Sequence, residues 1–380
     1  MKRYPAYDPP EYVGWEADPG LILEYARRVT CDPERAAIIA GLSEAEHLDL
    51  YRGLIRFRLH DIALRRWVKL GTISKAWLGT GEEAVTIGAV HALRRGPNGD
   101  VVAPMIRNAG ACHEMGIPLA DMFRAYLGTA DSPTRGRDLH FGDASAGVLA
   151  PVSMVGSVST VVNGYGLAFR ARGEDRVALT WIGDGSTKCG EVHEALNMAA
   201  VLRLPVVFIL QNNQIALGTS LEMHHRAGDF SAWGDAYGMP LFRVDGNHVL
   251  DVYAATSLAV QACRAGSGPV MIEAETFRMG GHATHDESEA RAMVEASAFA
   301  EWGKRDPIGQ YEEYLVRRRR PQPADPSAIA LHGEEGARAL LARIEAEVTS
   351  EVEASAEEAL RSRETAVLQG DASEISSCYG

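Results

Sequence analysis

Between Ser43 and Gly71, apolar residues recur at Leu50, Leu54, Phe57, Ile62 and Leu64 among many arginines, the spacing of one helical face. Ser43-Glu44-Ala45-Glu46 opens this stretch as a capping box, in which the Ser hydroxyl and the second Glu carboxylate satisfy each other's orphan backbone amides. A helix is predicted to run to about Leu70, with Gly71 supplying the left-handed residue that ends it. The residues before it, 1–42, are Pro- and Tyr-rich with weak patterning, and are expected to form an irregular arm. Further along, RVALTWI (176–182) and PVVFIL (205–210) are short β-rich apolar runs, and the intervening GEVHEALNMAAVLRL carries helical spacing. A third run, PVMIEAETF (269–277), follows a predicted helix from about Leu250 to Arg264. Near-continuous apolarity predicts strands buried on both faces, hence an α/β fold: a parallel sheet flanked by helices, over residues 43–320. From Pro321 the chain turns to Ala, Glu and Arg, so 321–380 is expected to be a charged helical region, most simply a solvated surface helix with an Ala/Leu/Ile seam.

Composition narrows the class. With 380 residues, 46% hydrophobic and 23% charged, the chain is neither disordered, collagenous nor a coiled coil. Its net charge of −13 opposes nonspecific attraction to nucleic acid or an anionic membrane, so an anionic ligand needs a local basic pocket. The N-terminus has no signal-like apolar run, and the apolar stretch Leu204 to Leu210 falls far short of the roughly 20 residues of a membrane span, so a cytoplasmic location is expected. Five scattered cysteines without a CxxC pair argue against a disulfide framework or a structural zinc site.

The candidate chemistry sits at the ends of the first two predicted strands. Gly183-Asp184-Gly185 closes one and Asn212-Asn213 the other, with Asp184 and Asn213 29 positions apart. A right-handed crossover makes the strands parallel, so both loops emerge at the edge where ligands bind. A carboxylate and an amide oxygen there suit a hard cation such as Mg²⁺, which completes its shell with phosphate and water. The glycines let backbone amides approach phosphate oxygens, and the helix starting near Gly190 adds its positive end. Either motif alone is an ordinary turn; paired after buried strands they become specific.

The run GDGSTKCGEVHEALNMAAVLRLPVVFILQNNQIALGTS resembles the thiamine-diphosphate signature, and more particularly the alpha subunit of the first component of 2-oxo acid dehydrogenase complexes. GTISKAWLGTGEEA (71–84), IRNAG (106–110), FRVDGN (242–247) and FRMGGHATHDES (277–288) extend the likeness from Ser43 to Asp306. The resemblance implies a thiamine-diphosphate-binding fold in which Asp184, Asn213 and the carbonyl of Ile215 hold Mg²⁺. It places Arg107 on the cofactor diphosphate, the backbone at Ser153 and Val155 against the aminopyrimidine, and Gly183, Gly185 and Ser186 beside the cofactor. His282 corresponds to the active-site histidine of the covering loop, where it both contacts the cofactor and moves protons.

The departures are specific. Ile106 replaces a tyrosine and Trp77 a histidine, each a lost diphosphate contact, although Trp77 suits the branched-chain pattern of the family. Lys188 stands where small or acidic residues are usual, and Ala283 where mammalian members carry a phosphorylated serine; Ser288 follows further along the loop. The resemblance implies a heterotetramer of two alpha and two beta chains, inactive without the beta subunit. It implies transfer of the acyl group of a 2-oxo acid, of the branched-chain type, to a lipoyl-bearing acyltransferase component. Acetoin or pyruvate dehydrogenase alpha subunits, a separate-subunit decarboxylase or transketolase-like enzyme, and a noncatalytic scaffold are the alternatives. A zinc hydrolase using His224, His225, His282 and His285 lacks the usual ligand spacing.

Overall fold

A computed structural model describes residues 1–318 and 333–368. The predicted start of the charged C-terminal region, 321–332, its end, 369–380, and Cys378 lie outside the described residues.

The predicted capping box is formed: the Ser43 side chain accepts from the Glu46 amide, the Glu46 carboxylate accepts from the Ser43 amide, and the helix runs Glu44–Lys69. Gly71 follows with φ +71°, a conformation other residues adopt only under strain. The helix Gly333–Thr365 lies along it and along the helix Leu119–Leu127. Its Ala/Leu/Ile/Val seam (Leu341, Ile344, Val348, Val352) is buried there, so only the opposite side of the helix is solvated. Ion pairs flank the contact, Arg52 to Glu347 at 2.8 Å and Arg56 to Glu351 at 3.1 Å.

The N-terminal stretch corrects the expectation of an irregular arm: it contains the helices Pro10–Val13, Pro19–Cys31 and Pro33–Ala40. Asp18 and Asp32 accept from the first free amides of the second and third helices, and a proline at N1 presets the backbone. These two helices fold back onto the same chain, against Pro307–Arg317 and Val249–Arg264 respectively. Tyr25 stacks on His248 with ring centroids 3.5 Å apart.

The central sheet is parallel and has five strands, β1 (Val101–Ala103), β2 (Ala178–Gly183), β3 (Val206–Asn212), β6 (Leu241–Asp245) and β7 (Val270–Glu275), in the order β1-β2-β3-β7-β6. A small antiparallel hairpin, β4 (Ile215–Ala216) with β5 (Thr219–Ser220), follows β3. Alternate residues divide between two cores, as the period of a pleated strand demands. Leu179, Trp181, Val207, Ile209 and Ile272 face the helices Glu83–His91 and Val249–Arg264. Ala178, Ile182, Val206, Phe208 and Leu210 face Val158–Arg172 and Gly190–Val201. The result is the expected sheet between helical layers. Gly183 pairs in register with Gln211, so the chain leaves β2 and β3 at one edge.

Candidate active site

Asp184 leaves β2 into the 3-10 turn Gly185–Lys188 and is 1% exposed. Its Oδ2 lies 3.1 Å from Nε2 of His224. Burial pushes its carboxyl above the usual carboxylate range, and His224 opposes that shift. Gly185 is required by packing: a Cβ there would lie 2.5 Å from Cβ of Ala216, so the backbone of the GDG loop packs directly against the hairpin's Ala216. Beyond β3, Asn213 is buried, donates from Nδ2 to Oε1 of Glu82 at 2.8 Å, and accepts at Oδ1 from the Ile215 amide at 3.3 Å. The Ile215 carbonyl accepts from Nη1 of Arg278 at 3.3 Å.

Arg107 joins separate segments of the sequence. It sits in the turn Ile106–Asn108 after β1, donates from Nη1 to the Leu78 carbonyl at 2.7 Å and from Nη2 to the His282 carbonyl at 2.9 Å. Its Nε lies 3.5 Å from Oε2 of Glu82. The motifs around Trp77, Arg107 and His282 therefore meet in space, although the first and last are separated by most of the domain. The loop carrying His282 is pinned: Ala76 donates to Thr284 Oγ1 at 3.0 Å, Thr284 donates back to the Ala76 carbonyl at 2.9 Å, and Arg65 pairs with Glu287 at 2.9 Å. Ala283 is buried and has no hydroxyl to modify; Ser288 is exposed.

Burial, with the guanidinium groups of Arg107 and Arg278 adding to it, pushes His282 down to about 4, so the ring is neutral across the physiological range. In a histidine NMR titration the His282 resonance, assigned by its loss in His282→Asn, is expected to have its midpoint near 4. A midpoint at the ordinary value near 6.5 would refute this environment.

Ser153 and Val155 are not gathered into the buried group. Both are exposed, and Ser153 Oγ lies 3.4 Å from Nε2 of His140. The next residue, Gly156, packs against Cys189 and Val192, which places this stretch beside the GDG loop. Lys188 lies exposed on that loop, its Nζ 2.8 Å from Nδ1 of His225. Partial burial lowers its ammonium, and the nearby Asp184 charge opposes this. Trp77 is half-buried beneath the Lys75 ammonium, 5.2 Å from the ring centroid. Ile106 lines a small cavity of about 40 Å³ with His60, Met105, Met122, Tyr126 and Phe141.

Residues absent from the sequence expectations are Glu82, Gln211 and Arg278, while His224 had been weighed only as a zinc ligand. Glu82 is 1% exposed and accepts from Gln211 Nε2 at 2.5 Å as well as from Asn213. The acidic pair Glu82-Glu83 directly after a glycine was the available signal.

A three-layer α/β protein whose strand ends carry a carboxylate, a carboxamide, a guanidinium and a neutral imidazole has the polar sheet edge of an α/β enzyme. Comparison with known proteins gives the family: the model for the dehydrogenase E1 component matches residues 52–322, and the chain belongs to that family. It is 32% identical over 281 residues to the pyruvate dehydrogenase E1 component subunit alpha of Rhizobium meliloti, covering 73% of this chain and 79% of that one. It is 37% identical over 237 residues to the 3-methyl-2-oxobutanoate dehydrogenase subunit alpha of Mycobacterium tuberculosis, covering 62% of this chain and 61% of that one. The 2-oxoisovalerate dehydrogenase subunit alpha of Bacillus subtilis is 32% identical over 278 residues, with 72% and 83% covered. The matched relatives are alpha subunits of 2-oxo acid dehydrogenases, which are oxidoreductases. Among the described residues no helix is long and apolar enough to cross a membrane.

Proposed function

We propose that this chain is the alpha subunit of a thiamine-diphosphate- and Mg²⁺-dependent dehydrogenase that decarboxylates a branched-chain 2-oxo acid. It works with a beta subunit in an alpha2beta2 assembly and passes the acyl group to a lipoyl-bearing acyltransferase. The observation that carries the reading is that Asp184 and Asn213 follow the ends of adjacent parallel strands, while Arg107 contacts His282 and, through Glu82, Asn213. The donor set fits the metal: Asp184 is a desolvated carboxylate paired with an imidazole, and burying such a charge is costly without a cation. Asn213 Oδ1 and the Ile215 carbonyl, beyond the neighbouring strand end, are the hard oxygen donors that Mg²⁺ prefers. The 37% identity to a 3-methyl-2-oxobutanoate enzyme supports the branched-chain assignment.

In this reading Asp184 and Asn213, with the Ile215 carbonyl, hold Mg²⁺. Gly183, Gly185 and Ser186 line the cofactor, and Arg107 adds its remaining N–H groups to the diphosphate. Ser153 and Val155 contact the aminopyrimidine from the exposed loop. Thiamine diphosphate, when bound, supplies the electron sink for decarboxylation. His282 Nδ1 faces the Arg107 guanidinium at 3.5 Å, which leaves Nε2 as the protonated nitrogen of the neutral ring. Nε2 then donates a hydrogen bond to oxygen at the reacting carbon.

The test is co-production with a beta-type partner and assay of 2-oxo-acid-dependent reduction of an artificial electron acceptor. Turnover of 3-methyl-2-oxobutanoate and 4-methyl-2-oxopentanoate that needs both thiamine diphosphate and Mg²⁺ is the expected result. Preference for pyruvate or acetoin overturns the substrate assignment, and a stable assembly that turns over none of them overturns the reading.

A further inference from the structure

Glu82 is a buried carboxylate at the centre of a hydrogen-bonded chain that no substrate-facing role accounts for. From one end, Asn108 Nδ2 donates to Thr86 Oγ1 at 2.7 Å and to Gln211 Oε1 at 2.8 Å. Gln211 Nε2 donates at 2.5 Å to Glu82 Oε1, which also receives Asn213 Nδ2 at 2.8 Å. Every member is buried, and the Glu82 backbone is held by its own amide donating to the Gly79 carbonyl at 2.8 Å. The other carboxylate oxygen, Oε2, makes no hydrogen bond and faces Arg107 Nε at 3.5 Å.

A carboxamide can be turned either way, and its two ends are opposite in hydrogen-bonding character. Glu82 Oε1 acts here as an acceptor, so Asn213 presents Nδ2 to it and turns Oδ1 away, where it takes only the long 3.3 Å bond from the Ile215 amide. The Gln211 amide is ordered in the same sense, because its oxygen is already engaged by Asn108. Reversing Asn213 would set a carbonyl oxygen against a buried anion, the most costly arrangement this network could hold.

We propose that Glu82 is a positioning residue of the metal site: it fixes the Asn213 carboxamide with Oδ1 toward the cation while its second oxygen steadies Arg107 on the diphosphate side. This rests on the assignment of Asp184 and Asn213 as metal ligands. One side chain thereby ties the two halves of the site together, the β3 edge and the turn after β1. Glu82 touches neither substrate nor cofactor in this role, so its removal acts on affinity for the metal.

The experiment uses the full chain co-produced with its beta-type partner, Mn²⁺ as an EPR-visible stand-in for Mg²⁺, and saturating thiamine diphosphate. Glu82→Ala is expected to weaken Mn²⁺ binding by about 10- to 100-fold, the usual effect of losing a group that orients a metal ligand. Glu82→Gln keeps one acceptor oxygen for Asn213 and is expected to recover most of that loss. Melting without cofactor separates this from misfolding, and if Glu82→Ala does not fold, Glu82→Gln against Glu82→Leu makes the same comparison. Unchanged affinity in Glu82→Ala, or an equal loss in Glu82→Gln, overturns the proposal. Failure of the unsubstituted protein to bind Mn²⁺, or full binding by Asp184→Ala, overturns the metal-site assignment as well.

Discussion

Asp184→Ala is expected to abolish cofactor-dependent turnover, with a fall of more than about 100-fold, since losing a group that only orients a metal ligand already costs 10- to 100-fold in affinity or activity. The same substitution has the opposite consequence for the fold. Asp184 is 1% exposed, and its pairing partner is the imidazole of His224 rather than a permanent cation, so without the metal its ionised form is held in place at a cost. Alanine removes that cost. The cofactor-free protein should melt at the same temperature or higher, while the gain in melting temperature on adding Mg²⁺ and thiamine diphosphate disappears. For the unsubstituted chain that gain follows mass action, about 2.7 kcal/mol when the ligand stands at 100 times its dissociation constant. Paired melting curves read both effects, and a variant that melts lower without cofactor but keeps the full ligand-induced rise would show Asp184 to be a structural residue. The trade is the familiar one in which a functional group is retained against the stability of the empty fold.

How much of this was legible beforehand depended on how local each signal is. The capping box at Ser43, the β2-helix-β3 unit and the shared edge of Asp184 and Asn213 are written in contiguous residues, and all are present in the fold. The N-terminal helices carried a signal that the Pro-rich composition obscured: Asp18-Pro19 and Asp32-Pro33 each pair a capping side chain with a proline at the first helical position. The strands β1 and β6 were missed for physical reasons. One has three residues, and the other is a sheet edge whose Arg243 is exposed, so neither shows a long apolar run. The roles of Glu82 and Gln211 could not be read locally, because their partners lie on segments remote in sequence and a carboxylate's orienting role exists only once the chain has folded. Ser153 and Val155 mark the opposite limit: the motif placed them in the site, and this chain alone leaves them exposed beside it.

The largest stability loss is expected from Arg58→Met. Arg58 is wholly buried on the helix Glu44–Lys69, paired with Glu83, 3.0 Å from Asp306 and 3.8 Å from Asp8, with its guanidinium 4.8 Å from the Tyr12 ring centroid. Arg3 adds a second cation, 2.5 Å from Asp306. Two cations thus face three carboxylates, and the pK shifts divide accordingly. Burial pushes Asp306 up, but Arg3 and Arg58 outweigh it and hold the group down to about 2. At Glu83 burial wins over Arg58, and the carboxyl is pushed up to about 7. Removing Arg58 leaves the acids with a single cation and should cost about 3–5 kcal/mol, the range for breaking a buried pair. The pH dependence has a definite sign. Glu83 holds a proton to about pH 7 in the folded state but only to its ordinary 4.5 when unfolded, so it draws stability down as pH rises through that window. Losing Arg58 pushes Glu83 further up, extending the window, so the deficit in Arg58→Met should be larger at pH 8 than at pH 5.5. Asp306 acts the other way only below its unfolded value of 3.8, outside this range. Urea unfolding at the two pH values measures both, and a loss that does not grow with pH would sink the account. The consequence reaches the candidate site, because Glu83 begins the helix that directly follows Glu82, and Glu82 holds Asn213. Arg58→Met should therefore weaken cofactor binding under conditions where the chain is still folded.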